Sequence, residues 1–447
     1  MRKTVCFWFA LVIAAAFSQP GAIHSAVWYV SETATGNNSG TSWPNACTGL
    51  QAGINSAAHG DQVWVSAGTY RPSSGSGRQT WFALKDGVSV YGGFDGTETL
   101  ISQRDWKTNQ TILSGDIGVP DDPADNSFHV VVALNIDDTT TFSGFIIRDG
   151  NADDGTLSEY NQYGGGMYIG ASSLTVSHCI FEGNAASEGG GMYHHISNAA
   201  ITHCLFRNNS GSMLGGGMLC HSSTLTMSYC TFSNNEASGS GAGLYLNTCT
   251  DNFISYSTFN NNRANSGAGL LNFNSSTMGV NNTFSANLAT AVGGGAMNVG
   301  NSTLRFANCT FRKNESKYGG DSVYNSAELN PENCIFAGGT QEYDLVNDGG
   351  TVNTYRNIIE SQDGFPLNSY DVTGPQPNLK MGPLADNGGE TMTHALLRGS
   401  IAIDSGSVAV VGLPMDDQRG VLRDSKPDFG AFEYVHPKTM PWLFLLE

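Results

Sequence analysis

One phrase is repeated seven times between Gly164 and Gly339, and it constrains the fold more than any other feature of the 447-residue chain. Each copy holds a glycine cluster, an apolar residue, a short polar run and a closing Phe-x-x-Asn motif, whose asparagine is replaced by Gly339 in the seventh copy. The phenylalanine recurs every 25 to 27 residues, at Phe181, Phe206, Phe232, Phe259, Phe284, Phe311 and Phe336. The apolar residue follows the same period, at Met167, Met192, Met218, Leu244, Leu270, Met297 and Val323. Two columns with one period indicate a solenoid.

The residues inside one period indicate which solenoid it is. β-Branched and apolar residues form short strand-like stretches such as 174–176 and 225–227, and glycine, serine and asparagine separate them. This pattern is typical of strands and tight turns, whereas a helical repeat would space its apolar residues three and four apart. About 26 residues accommodate three short strands and three bends. The sequence therefore predicts an all-β fold, a single-stranded right-handed parallel β-helix with an N-terminal cap.

Equivalent side chains in such a stack lie about 4.8 Å apart along the axis, so each column becomes a ladder. We expect the phenylalanines to form an internal aromatic stack. The asparagine column tolerates the backbone of a bend, and its amides can hydrogen-bond along the axis. Its members are Asn184, Asn209, Asn235, Asn262, Asn287 and Asn314. A third column holds Cys179, Cys204, Cys230, Cys309 and Cys334, which we expect to be free buried thiols, with bridges between neighbouring coils as the alternative.

The chain divides into four parts. Residues 1–25 resemble a signal peptide, with Arg2 and Lys3 before the apolar run Val5–Phe17. Residues 26–150 are predicted to form the cap and irregular first coils, residues 151–374 the regular repeats and last coils, and residues 375–447 a C-terminal module. We expect a monomer that is secreted, extracellular or on the outer cell surface, with no transmembrane span. The formal charge of −18 argues against nucleic acid as a partner.

Three family resemblances refine this picture. The segment Gly60–Tyr70 resembles the entry into pectin-lyase-like β-helices. The pairing of Gly-Gly-x-Met/Leu with Phe-x-x-Asn resembles the repeat of bacterial polymorphic outer membrane proteins, which implies a surface-displayed β-helix, and some members of that family are adhesins. The segments Gly382–Gly389, Thr393–Leu397 and Asp428–Tyr434 resemble the choice-of-anchor Q domain found at the end of bacterial surface and secreted β-helix proteins.

Candidate ligand-binding residues follow the apolar column. Tyr168, Tyr193, Tyr245 and Tyr324 are expected to face outwards as an exposed aromatic stripe able to stack on the sugar rings of a linear glycan. The alternative is that a loop covers them.

Two histidine pairs, His195 with His221 and His178 with His203, lie one coil apart. Two ligands rarely suffice for a metal, so we expect stacked surface histidines, no metal site and no cofactor.

A group of charged residues in the C-terminal module is expected to be structural, with arginines bound to buried aspartates. Its members are Asp404, Asp417, Arg419, Arg423 and Asp428.

The distribution of acids bears on catalysis. Lyases and hydrolases of this fold need converging carboxylates, for Ca²⁺ or for acid–base work. In the seven coils the acids fall in different columns, so no catalytic residue is predicted. The expected function is display, adhesion or carbohydrate contact without catalysis, with a polysaccharide or the surface of a host or neighbouring cell as partner. The alternative is a polysaccharide lyase or glycoside hydrolase whose site lies in the loops 71–82 or 115–128.

Overall fold

The computed structural model describes residues 25–155, 160–340, 343–376, 378–407 and 414–436. The predicted signal peptide lies outside the described residues, apart from Ser25. The fold is a parallel β-solenoid of four sheets, which confirms the predicted class.

Sheet A contains the strands Val27–Val30, Gln62–Ser66, Ser89–Phe94, Thr141–Ser143, Thr175–Ser177, Ala200–Thr202, Thr226–Ser228, Asn252–Ser255, Ser276–Val280, Thr303–Ala307, Glu328–Glu332 and Thr351–Val352. Sheet B contains Gly68–Tyr70, Thr111–Ser114, Phe145–Arg148, Ile180–Glu182, Leu205–Arg207, Thr231–Ser233, Thr258–Asn260, Thr283–Ser285, Thr310–Arg312, Ile335–Ala337, Ile358–Ile359 and Val372–Thr373. Sheet C contains Phe82–Ala83, Val131–Leu134, Met167–Gly170, Met192–His195, Met218–His221, Leu244–Asn247, Leu270–Phe273, Ala296–Val299, Val323–Asn325, Leu345–Asn347 and Gln362–Asp363. Sheet D contains Asn151–Ala152, Ala185–Glu188, Ser210–Leu214, Glu236–Ala237, Arg263–Ala264, Leu288–Ala289 and Glu315–Ser316.

Each regular coil passes through sheets C, A, B and D in that order. Sheet D adds a fourth strand to each coil, whereas the sequence period predicted three strands per coil. Its strands are mostly two residues long, because the glycine cluster that leads back to sheet C follows almost at once. An α-helix, Leu50–Ser56, buries Leu50 and Ile54 with Val30 and Val63 of the first two strands. Two 3₁₀ turns lie at Trp43–Asn45 and Ile101–Gln103.

The two predicted ladders are confirmed. Phe206 stacks between Phe181 and Phe232, with ring centroids 4.8 and 4.6 Å away. The Asn184 amide nitrogen donates to the side-chain oxygen of Asn209 at 3.1 Å, and the same bond continues coil by coil to Asn314. All five cysteines of the third column are buried free thiols that form no disulfide. These interior columns hold the coils in register.

The predicted register is wrong by one residue in a single coil. Ala296, not Met297, pairs with Leu270 and with Val323, so Met297 faces outwards. Asn298 therefore faces inwards, where its side chain bonds to Asn272 at 2.8 Å and to Asn325 at 2.7 Å. This second amide ladder favours the observed register, because an outward Asn298 would remove one buried hydrogen bond from each of its two partners.

The C-terminal module folds back along the solenoid. Its strands Met381–Ala385 and Thr393–Leu396 form a separate antiparallel pair. Gln418 is fully buried, and its amide oxygen accepts a 2.7 Å hydrogen bond from Thr283 of sheet B. Phe429 and Phe432 belong to an apolar cluster with residues of sheet B, including Ile335. The module therefore covers part of the outer face of sheet B.

The predicted pairing of arginines with buried aspartates is confirmed for one of the two arginines. Arg419 bonds to buried Asp417 at 2.7 Å, as expected. Buried Arg423 pairs instead with Glu433, at 3.2 Å. The Asp428 carboxylate accepts the backbone N–H of Asp404 at 2.8 Å, and the Asp404 side chain itself lies at the surface.

Candidate ligand groove on sheet B

The outer face of sheet B has an open part and a covered part. The outward column of the open part consists of Ile146, Ile180, Leu205 and Thr231. The same column continues as the covered part through Thr258, Thr283, Thr310 and Ile335, where the C-terminal module lies on it. The covered part contributes its hydroxyl groups to the module: Thr258 donates to the Met392 carbonyl at 2.6 Å, and Thr310 accepts the Ala431 N–H at 3.0 Å.

A wall of stacked rings borders the open part. His178 stacks on His203 at 4.9 Å, His203 on Tyr229 at 4.9 Å, and Tyr229 on Tyr256 at 4.8 Å between centroids. Trp106, which comes from a distant loop, closes the column against His178 at 4.4 Å. The rings occupy the bend between sheets A and B, one per coil. The stack covers most of their faces, so the wall presents ring edges to the groove.

The backbone at this bend is left-handed in every coil. The φ angles of His178, His203, Tyr229 and Tyr256 are 52°, 53°, 53° and 51°. Asn281, Asn308 and Asn333 hold the same position in the covered part, with φ angles of 51°, 50° and 51°. Asparagine adopts this conformation readily, whereas a bulky ring there is uncommon and is held at a cost of about 1 kcal/mol or more. Strain maintained in four consecutive coils marks the open part as a functional candidate.

The groove encloses a cavity of about 710 Å³. Its floor is the outward column of the open part, and its wall is the ring column. Trp106, Lys107 and Gln110 lie at one end and Glu390 of the C-terminal module at the other. Tyr256 marks the boundary with the covered part, because its hydroxyl donates to Asp416 of the module at 2.8 Å.

One ring of the wall, that of His178, is uncharged at neutral pH. Burial, followed by the charge of His203, lowers the pKa of His178 to about 4, so its imidazole is neutral. Arg104 lies behind the wall, 5.0 Å from the Trp106 ring, and bonds to the Ser143 hydroxyl at 2.9 Å. The charged side chains that line the groove are Lys107 and Glu390, one at each end and both exposed.

The predicted tyrosine stripe is not exposed. The column does face out of the coil, but Tyr168, Tyr193 and Tyr245 are buried in a second apolar cluster outside sheet C. Tyr163 stacks on Tyr193 at 4.6 Å, and Leu214 of sheet D packs against the same cluster. Burial raises the pKa of Tyr168 to about 12. Tyr324 is half-buried, and its hydroxyl donates to Asp348. Expecting exposure was wrong because loops and neighbouring strands cover the column.

The predicted histidine pairs have different surroundings. The Nδ1 atoms of His195 and His221 lie 3.4 and 3.1 Å from the hydroxyls of Tyr168 and Tyr193, so this pair belongs to the edge of the tyrosine cluster. His178 and His203 stack in the groove wall. Within the described ranges, two groups of three potential metal ligands come together, and neither contains these histidines.

The loops proposed for an alternative catalytic site are tied down by ion pairs. Arg71 bonds to Asp116 at 3.3 Å, and Arg78 bonds to Asp153 at 2.5 Å. Arg78 also donates to the Asn126 carbonyl at 2.7 Å, which joins the two loops. Their acidic side chains therefore serve in part as structural partners for arginine.

Reasoning from the sequence found two residues of the ring wall and missed three. Tyr229 and Tyr256 directly precede Cys230 and Ser257, so they stand in the same column as His178 and His203 and could have been recognised there. Trp106 gave no such signal, because it lies outside the repeats and reaches the column through tertiary structure.

Comparisons with known proteins agree with this architecture. Residues 132–311 match the family model described as a right-handed β-helix region. No curated protein sequence matches the chain. No helix among the described residues is long and apolar enough to cross a membrane.

Solved structures give the same result. Pectate lyase Pel9A is similar with a TM-score of 0.57 and 16% identity, over 92% of this chain and 97% of that one. A rhamnogalacturonan lyase has a TM-score of 0.38 and 12% identity, over 79% of this chain and 86% of that one. PfbA, a surface adhesin of Streptococcus pneumoniae, has a TM-score of 0.31 and 11% identity, over 72% and 88%. At 16% identity the first match shows similarity of fold alone. The chain has the fold of a right-handed parallel β-helix, which pectate lyase Pel9A shares.

Proposed function

We propose that this protein binds a linear glycan, without catalysis, in the groove along the open part of sheet B. The observation that carries the proposal is the ring wall, in which three coils place His178, His203 and Tyr229 on strained left-handed backbone beside the floor of the open part. Packing inside the solenoid does not require these rings, since asparagine occupies the same bend in the three coils after that of Tyr256.

The chemistry of the groove suits a sugar chain. The half-buried side chains of Ile180 and Leu205 offer an apolar floor for the C–H faces of the sugar rings, and binding sites of this kind combine apolar surface with a few polar groups. The edge of the wall offers the Tyr229 hydroxyl and imidazole nitrogens for hydrogen bonds with sugar hydroxyls. The coil spacing of about 4.8 Å repeats these contacts along the axis. A linear ligand parallel to the solenoid would meet similar groups at each coil.

Glycan stacking on the tyrosine column of sheet C would need exposed ring faces. Because Tyr168, Tyr193 and Tyr245 are buried, we assign the ligand to the groove on sheet B instead.

The residues that line the groove favour binding over catalysis. Among them Glu390 is the one carboxylate, whereas Ca²⁺-assisted elimination needs several converging carboxylates and acid–base hydrolysis needs two. The imidazole of His178, with its pKa near 4, is a weak base.

The test compares a double and a single asparagine substitution at left-handed bends. His203→Asn with Tyr229→Asn installs the residue that the covered part already uses at this bend, so we expect the fold to be kept. Thr248→Asn makes the same kind of change at an exposed bend between sheets C and A, where φ is 57°. Affinity electrophoresis in linear neutral and acidic polysaccharides should show retardation of the wild type. The double variant should lose at least tenfold in affinity, while Thr248→Asn should match the wild type.

Two results would overturn the proposal. One is a wild-type protein that no polysaccharide retards, and the other is a double variant retarded as strongly as the wild type. Circular dichroism of the double variant serves as the folding control.

The second candidate function is a polysaccharide lyase, which the similarity in fold to a pectate lyase favours. Incubation with acidic polysaccharides would then produce the ultraviolet absorbance of unsaturated chain ends. We expect no such absorbance, and a steady rise would replace the binding proposal with the enzymatic one.

We also propose that the protein acts outside the cell, with residues 1–25 as signal peptide and residues 375–447 as a module of the choice-of-anchor type. The sequence resemblances described above support this placement. Fractionation of a tagged chain expressed in a bacterial host tests it, since a mature chain lacking residues 1–25 is expected outside the cytoplasm. A full-length chain retained in the cytoplasm would contradict the proposal.

A further inference from the structure

A serine column lines the interior at the turn between sheets C and A. Ser172, Ser197, Ser223 and Ser275 are buried there, and each follows a residue with positive φ. The Ser172 N–H donates to the Ser197 hydroxyl at 3.0 Å, and the Ser197 N–H donates to the Ser223 hydroxyl at 3.0 Å. In one coil the residue of this column is Cys249, whose own N–H keeps the ladder bond to the Ser275 hydroxyl at 2.8 Å.

A second cysteine meets Cys249 from the neighbouring coil. Cys220 stands in the inward column of sheet C, in register with His194 before it and Leu246 after it. Both cysteines are fully buried, and their sulfur atoms lie 3.2 Å apart. The pair thus meets one requirement of a disulfide between coils, since a bond of about 2.05 Å needs only a small closing movement.

His194 helps to fix the position of Cys220. The backbone N–H of Ala199 donates to His194 Nε2 at 3.1 Å, so the neutral imidazole carries its proton on Nδ1. Nδ1 lies 3.2 Å from the Cys220 sulfur and donates to it. The Cys220 sulfur is therefore held between an imidazole N–H and the sulfur of Cys249.

The other cysteines are arranged differently. The thiols of Cys179, Cys204 and Cys230 each donate to the carbonyl two residues earlier in their own coil, at 3.3 Å. The Cys334 sulfur accepts the backbone N–H of Cys309 at 3.4 Å. The Cys249 thiol makes the same kind of contact, with the Asn247 carbonyl at 3.4 Å, and in addition its sulfur lies 3.2 Å from that of Cys220.

We propose that Cys220 and Cys249 form a disulfide that ties two neighbouring coils together. The two thiols lose two protons and two electrons and form one S–S bond, while a disulfide-bearing oxidant is reduced to two thiols. Burial raises the pKa of Cys220 well above its usual value, whereas the hydrogen bond with Cys220 lowers the pKa of Cys249, so Cys249 is the thiol better able to supply the attacking thiolate. Because both side chains are fully buried in the finished coil, an oxidant reaches them before the coil closes, and the bond forms during folding in an oxidising compartment.

The test begins with the full chain expressed into an oxidising periplasm and denatured in an alkylating agent without reductant. Cys6 lies in the predicted signal peptide, and eight cysteines belong to the described chain. Mass spectrometry should find six of these eight alkylated and one linked peptide pair that contains Cys220 and Cys249. Alkylation of all eight, or a link between other cysteines, overturns the proposal.

A second measurement follows thermal unfolding with and without dithiothreitol. Cys249→Ser restores the residue of its column, so we expect it to fold. The wild type should melt several degrees higher without reductant than with it, and Cys249→Ser should melt at one temperature in both conditions. Cys204→Ser, the matched control, should keep the reductant dependence. A wild type that melts equally in both conditions would contradict the proposal.

Discussion

Thr231 and Thr258 are neighbours in register on the outer face of sheet B, yet their surroundings differ completely. Thr231 lies half-buried in the groove of the open part. Thr258 is fully buried, donates to the Met392 carbonyl and accepts from the Gln418 amide at 2.9 Å. The backbone is the same in both coils. The difference is that the protein's own C-terminal module covers one part of the face and leaves the other part free.

The bend beside this face changes one coil further along. Rings occupy it along the open part and in the first covered coil, where Tyr256 lies, and asparagines occupy it in the next three coils. Asn281 donates to the Asp416 carbonyl at 2.9 Å and accepts from Arg423 at 3.0 Å, and Asn333 bonds to Ser407. The asparagines thus serve the module, whereas the rings beyond Tyr256 line the groove. One solenoid face is in this way divided between internal stability and contact with another molecule.

The largest effect is expected from Arg423→Met in the covered part. The guanidinium is buried with the Glu433 carboxylate, and its removal leaves that carboxylate buried without its cation. We expect a loss of about 3–5 kcal/mol in the free energy of unfolding, measured by urea denaturation. Arg207→Met is the control, since Arg207 and Glu182 are 43% and 23% exposed and their pair contributes about 1 kcal/mol or less. Equal losses in the two variants would show that the covered part is not a specific buried interface.

The comparison of Thr258→Val with Thr231→Val isolates the effect of the cover. Valine at 258 leaves the Met392 carbonyl and the Gln418 amide each without one buried partner, which costs about 1–3 kcal/mol. Valine at 231 changes a half-buried groove residue and is expected to shift stability by about 0.5 kcal/mol or less. Thermal unfolding of both variants measures the difference, and similar melting temperatures would argue against the division of the face.

The covered part should also make stability depend on pH. Burial lowers the pKa of His394 to about 4; its Nδ1–H donates to the Gly382 carbonyl at 2.9 Å, and Nε2 accepts from the Ser285 hydroxyl at 2.9 Å. The unfolded chain binds a proton near pH 6.5 and the folded chain only near 4, so unfolding takes up a proton in between. Stability is therefore lost as the pH falls from about 6.5 to about 4. Between pH 7 and pH 5, the free energy of unfolding of His394→Gln should fall by about 1–2 kcal/mol less than that of the wild type, measured by urea denaturation. Equal losses of stability in the wild type and in His394→Gln would contradict the contribution of His394.

A net change in stability close to zero is expected from Tyr229→Asn alone. The substitution relieves a ring held at a φ of 53° but removes its stacking with His203 and Tyr256. These contributions are each about 1 kcal/mol and oppose one another, so the net change should stay within about 1 kcal/mol. Thermal unfolding measures it. A much larger loss would mean that the wall is structural, and would weaken its assignment to a ligand.

The success of the sequence predictions depended on the range of the interactions. The Phe and Asn columns were predictable because each residue meets its own copy about 26 residues away, so the period itself encodes the contact. The outward tyrosine column was predicted with the correct direction, but its burial depends on Tyr163 and Leu214, which belong to other parts of the coil. The inward direction predicted for Met297 was wrong for a related reason. The glycine cluster that precedes Met297 allows two strand registers, and the inner amide ladder through Asn298 selects one of them.

The sequence by itself determined a parallel solenoid with an aromatic and an amide ladder inside, because a repeated period converts local pattern directly into neighbouring contacts. Only the tertiary structure decided which outward residues remain accessible. That outcome depends on where non-repeating segments settle: the loop that carries Trp106, and the C-terminal module that buries Thr258 while leaving Thr231 open. Such contacts join residues that share no sequence period. Their energies come from complementary shapes and hydrogen bonds between distant segments, which the repeat pattern of the sequence does not specify.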